Sequence, residues 1–117
     1  AISSLPPFPP SLATLNLREC WVLPTLPLLP SSLKTLNVTG CRALPTLPQL
    51  PHGLTTFNLG CCKVLLSLPA ALPPSLTILN LRKCWVLTHL PSSISHSRFL
   101  LTLTLSCVSL TTLPLLP

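Results

Sequence analysis

Six cysteines, three histidines and one acidic side chain, Glu19, are the residues of this 117-residue chain to weigh first for thiol, acid–base or metal chemistry. Cys20, Cys41, Cys62 and Cys84 recur at near-constant intervals, with Cys61 beside Cys62 and Cys107 beyond them. A zinc site needs C-x-x-C pairs or a Cys/His cluster at ligand spacing. An adjacent Cys61-Cys62 and the scattered His52, His89 and His96 supply neither. Cys84 with His89 could act as nucleophile and base only if the thiol were exposed and activated. The chain contains no Asp, so paired carboxylates for acid–base catalysis are missing. Its three glycines are isolated and form no phosphate-cradling loop. These residues imply no catalytic centre, no metal and no cofactor.

The remaining chemistry is that of contact. Trp21 and Trp85 each follow one of the recurring cysteines, and the equivalent positions hold Arg42 and Lys63. A position that tolerates charge is expected at the surface, and exposed Trp is enriched at binding hot spots. The net charge of +6 favours acidic partners. The basic residues form no run or clustered aromatic face, which argues against nucleic acid. Asn37-Val38-Thr39 matches a glycosylation sequon, here read as a chance triplet.

What positions these residues is a repeat. Segments starting at Leu12, Leu33, Leu54, Leu76 and Leu100 lie 21, 21, 22 and 24 residues apart. The first four read L-x-x-L-N-L-x-x-C-x-x-L, with Val38 and Phe57 as apolar substitutes. The fifth keeps Leu103 and Leu105, carries Thr104 in place of Asn, and leaves Cys107 out of register. Between the blocks run Leu-Pro-rich half-turns such as Leu26-Pro27-Leu28-Leu29-Pro30 and Leu47-Pro48-Gln49-Leu50-Pro51. Repeats of this length mark a solenoid, here about five turns across residues 1–117.

Leu15 and Leu17 flank Asn16, an alternation that predicts a short strand with one buried face. The pattern places strands near residues 14–17, 35–38, 56–59, 78–81 and 102–105, joined in a parallel sheet because each returns after a full turn. Pro excludes regular helix from most of the other half-turns. Leu26 and Leu29 are expected to point inward from a polyproline-like path. The longer stretch from Pro91 to Leu100 has room for one or two helical turns, capped by Ser92. The cysteines of the repeat are expected to form a buried ladder after the strands, their thiols satisfying backbone carbonyls. Stacked Cβ atoms would sit just beyond disulfide range, so free thiols and a reducing, cytoplasmic compartment are expected. Pro or polar residues interrupt every apolar run, so no membrane-spanning helix is expected. Without Met or polar caps, the chain reads as a piece of a longer protein.

These blocks resemble the leucine-rich-repeat family over essentially the whole chain. Leu90-Pro91-Ser92-Ser93-Ile94, with Leu100, Leu103, Leu105 and Cys107, resembles repeats of plant nucleotide-binding immune receptors, as do the Leu-Asn-Leu-x-x-Cys blocks. The Leu-Pro-x-Leu-Pro half-turns are similar to those of bacterial effectors whose repeats precede a ubiquitin-ligase domain, although this chain has Cys where they usually carry Asn. The resemblance implies an α/β-type leucine-rich-repeat solenoid, open at both ends, with a short parallel sheet on its concave face and an irregular convex side with little helix. It also implies protein–protein recognition, with the substrate-recognition arm of a ubiquitin ligase or other enzyme whose catalytic domain lies outside this chain as the alternative. Arg18, Asn16, Asn37, Asn58, Asn80, Arg82, Trp21 and Trp85 are the candidate contact residues. For the Asn column the competing reading is structural, its amides pairing from turn to turn.

Overall fold

A computed structural model describes residues 5–106 together with Pro114 and Leu116. Cys107, read as out of register, lies outside these residues. Five short strands, β1 (Thr14–Asn16), β2 (Thr35–Asn37), β3 (Thr56–Asn58), β4 (Ile78–Leu81) and β5 (Thr102–Leu105), form one sheet in sequence order. Every neighbouring pair is parallel. Among the described residues the chain is a parallel β-solenoid of about four turns, its five strands bounding four complete circuits of the backbone.

Leu15, Leu36, Phe57, Leu79 and Leu103 stand in one cross-strand register. Alternation along each strand sends this column to one face. Leu36, Phe57 and Leu79 are fully buried, and Leu15 and Leu103, on the outermost strands, pack against the same core. Val38, Leu59 and Leu81 add a second buried row, and Leu44, Leu65 and Leu87 close the interior further round the turn. Each such Leu contributes about 1.5–3 kcal/mol. The unequal repeat lengths leave the register untouched because the half-turns absorb the extra residues. The 22-residue repeat bends at Ala70-Ala71, and the 24-residue one folds into a short 3-10 helix, Ser92–His96, that buries Ile94. Contrary to the expectation from the sequence, Ser92 does not cap this helix. Pro91 holds the cap position without a side-chain bond, and its carbonyl accepts the Ile94 N–H at 3.2 Å. Leu26 and Leu29 do turn toward the core, but as partly buried residues.

Two turns per circuit hold the strands in place. Before each of β1 to β4, a Pro carbonyl accepts the N–H of the Leu three residues on: Pro9–Leu12, Pro30–Leu33, Pro51–Leu54 and Pro73–Leu76, at 3.1–3.3 Å. Pro suits the start of such a turn because its φ is already set. After each of these strands one residue swings to positive φ: Glu19 at 60°, Gly40 at 76°, Cys61 at 62° and Lys83 at 58°. The N–H groups of Glu19, Gly40 and Cys61 reach the carbonyls of Thr39, Gly60 and Arg82 at 2.7 Å, so the ladder runs past the strand ends. Only Gly40 adopts this conformation without steric cost. A Cβ there would also meet Glu19 Cγ at 3.2 Å. Gly40→Ala is therefore expected to lose about 1–2 kcal/mol. Gly60→Ala, where φ is ordinary and the nearest atoms lie at 3.5 Å, is expected to be nearly neutral. Denaturant midpoints of the two variants provide the check.

Candidate functional site

The residues just past the strands build the surface of interest. In each of the first four turns the Asn of the strand folds its side chain back along its own chain. Asn16, Asn37, Asn58 and Asn80 accept, through Oδ1, the backbone N–H two residues on, belonging to Arg18, Thr39, Gly60 and Arg82, at 2.9–3.2 Å. Such an Asx arrangement satisfies a donor where the backbone bends out of the sheet. The amides therefore bind locally, where the competing structural reading had them pairing from turn to turn. The link between turns is Thr39, whose single hydroxyl proton is shared between Asn37 Oδ1 at 2.6 Å and Asn58 Oδ1 at 2.8 Å. With Oδ1 occupied, the remaining arm of each amide is the donor Nδ2.

One step further along the chain stands the column Arg18, Thr39, Gly60 and Arg82. Gly60 lacks a side chain, and a cleft of about 410 Å³ opens over it. Its walls are Arg18, Asn37, Thr39, Asn58, Cys61, Asn80, Arg82 and Lys83. Five of the eight sequence candidates thus share one site: Arg18, Asn37, Asn58, Asn80 and Arg82. Asn16, Trp21 and Trp85 do not line it. Sequence reasoning missed the cleft that Thr39 and Gly60 frame, and did not number Lys83 or Cys61 among the contact residues. The signal for the last two was Gly40, which marks their shared column as the left-handed position of each turn.

Trp21 and Trp85 occupy the neighbouring edge, 55% and 43% exposed. The Arg42 guanidinium lies 5.1 Å from the centre of the Trp21 ring, and Lys63 Nζ lies 4.5 Å from that of Trp85. Each indole thus has a cation from an adjacent turn against one face, an attraction to the ring quadrupole.

The cysteine ladder forms as the sequence implied. Cys41 Sγ donates to the Leu17 carbonyl at 3.1 Å, Cys62 to Val38 at 3.1 Å and Cys84 to Leu59 at 3.2 Å, each reaching back to the preceding turn. Cys41, Cys62 and Cys84 are buried, Cys20 and Cys61 are half-buried, and none of the five is in a disulfide. Burial pushes the Cys41 thiol up to about 11. Burial, with Cys84 and Cys41 alongside, pushes Cys62 up to about 12. Thiols held protonated this firmly are poor nucleophiles and metal ligands. Among the described residues no group of His, Cys, Asp or Glu is arranged to hold a metal ion, and no helix is long and apolar enough to cross a membrane.

Against protein-family models, curated proteins and solved structures the chain shows no match. Its placement rests on its own repeat and geometry, which make it a parallel-strand solenoid with a polar, cation-walled cleft past the ends of its strands.

Proposed function

We propose that this chain is a non-catalytic protein-binding scaffold of the leucine-rich-repeat kind, recognising its partner through the sheet face and the cleft at its edge. The observation that carries the reading is the absence of a side chain at Gly60, where neighbouring turns present Arg18, Thr39 and Arg82. Solenoids use extended surfaces of this sort for binding. The surface residues of the strands do not build the core, so they are free to serve contact. The buried thiol ladder supports a structural rather than catalytic use of cysteine, and free thiols fit a reducing, cytoplasmic setting. A receptor- or effector-like parent protein accords with the repeat pattern.

A leucine side chain at position 60 would fill the cleft from its floor. A displayed peptide library selected on the immobilised chain is expected to yield binders that Gly60→Leu no longer retains, while Gly60→Ala keeps them. Equal retention by Gly60→Leu and wild type would show that the cleft is not where partners bind.

A further inference from the structure

We infer that the cleft over Gly60 takes an extended acidic segment of a partner protein, with two carboxylates about four residues apart. This rests on the binding-scaffold reading and specifies the partner's chemistry.

Three observations lead to it. The charged wall residues, Arg18, Arg82 and Lys83, are all cations, and Glu19 is the chain's only acidic side chain. At most one of the three can be neutralised by an internal carboxylate. The wall amides have their acceptor oxygens already engaged. Asn37, Asn58 and Asn80 each commit Oδ1 to a backbone N–H, and the other arm of each amide, Nδ2, is a donor. The cleft therefore presents donors and positive charge to whatever lies in it, and acceptor-rich, negatively charged groups match it.

The spacing selects among acidic ligands. Arg18 and Arg82 stand in one column, joined through the backbone bonds Glu19–Thr39, Gly40–Gly60 and Cys61–Arg82. Three strand steps of ~4.8 Å place their backbones roughly 14 Å apart. An extended peptide running across the strands covers that distance in about four residues at ~3.5 Å each. A peptide of the form Glu-x-x-x-Glu can then set one carboxylate on Arg18 and the other on Arg82 and Lys83. The intervening main-chain carbonyls face the Asn donors, and the Gly60 gap admits the backbone.

Fluorescence anisotropy with the full chain tests this, using labelled peptides carrying Glu-x-x-x-Glu, Gln-x-x-x-Gln and Lys-x-x-x-Lys, and a labelled oligothymidine. The acidic peptide is expected to bind at least about tenfold more tightly than the Gln peptide. Arg18→Glu/Arg82→Glu is expected to reverse the preference toward the Lys peptide, a gain that an unfolded variant cannot produce. Equal binding of acidic and neutral peptides, with both lost in Gly60→Leu, would overturn the acidic partner and leave the scaffold reading standing. Peptide binding indifferent to Gly60→Leu would remove both. Oligothymidine binding more tightly than the acidic peptide, with the same dependence on the two arginines, would also overturn the proposal.

Discussion

In chemical denaturation, Leu36→Asp is expected to abolish the cooperative transition that wild type shows, while Thr35→Asp, one residue away, preserves it. Leu36 is fully buried between Leu15 and Phe57 in the inward column. Asp there forfeits about 1.5–3 kcal/mol of apolar burial. It also places an unpaired carboxylate in the interior, a class of change that costs more than about 4 kcal/mol. A chain of this length has roughly 6–18 kcal/mol of total stability. The architecture makes the damage spread, because each turn is held only by its neighbours. Loss of β2 detaches β1 and leaves the apolar layer of β3 open to water. Thr35 points to the opposite face, paired across strands with Thr14 and Thr56. An aspartate on that open face is expected to cost no more than about 1 kcal/mol. If the two variants unfold alike, the alternation on which the sheet depends is wrong.

The contrast between residues 35 and 36 also shows why the strands were legible in the sequence. A period of two over Leu-Asn-Leu, restated every twenty-odd residues, specifies both the buried face and the lateral neighbours, since equal positions in successive turns must stack. The cysteine ladder was readable on the same ground. Cys41, Cys62 and Cys84 occupy one position, and a small side chain with a weak donor suits the carbonyls of the turn before. The Asn column was only half readable. Repetition revealed that Asn16, Asn37, Asn58 and Asn80 stack, but not which end of each amide would be used. That choice follows from the backbone bending out of the sheet and bringing an N–H within reach two residues on.

The cleft was less visible still, because it is a property of several turns at once. Gly60 makes a gap only when Thr39 and Arg82 rise on either side, and Lys83 joins the wall because its backbone has turned to positive φ. Nothing local to Lys83 announces that conformation, which a lysine adopts at a steric cost. The Ser92 cap failed for a related reason. Ser is a favoured cap residue, but the turn starts at Pro91, whose carbonyl already accepts the first bond. Local preference lost to the geometry that returns the chain to β5.

The second large effect is alkaline. Stability is expected to hold up to about pH 9, fall steadily between pH 9 and 12, and level off above that as far as the thiols are concerned. In the unfolded chain Cys41 and Cys62 titrate near the ordinary value of 9.0, whereas in the folded chain they hold their protons to about 11 and about 12. Between those limits the unfolded state binds fewer protons than the folded one, so raising the pH favours unfolding. Below pH 9 both states are protonated and the thiols contribute no slope. Each unit of separation multiplies the unfolding equilibrium tenfold. With allowance for water reaching the thiols as turns loosen, the two together remove about 4 kcal/mol across the window. The ladder is what turns titration into structural loss: a thiolate cannot donate to the Leu17 or Val38 carbonyl, and its charge would repel that oxygen. Guanidinium midpoints at pH 8, 10 and 11 measure the fall. Cys41→Ala/Cys62→Ala supplies the reference. That variant is expected to be less stable at pH 8, having lost two hydrogen bonds and some packing, yet to decline much less with pH. A double variant whose stability falls as steeply as wild type would mean that these thiols are not held protonated by the fold, and that the ladder does not bind one turn to the next.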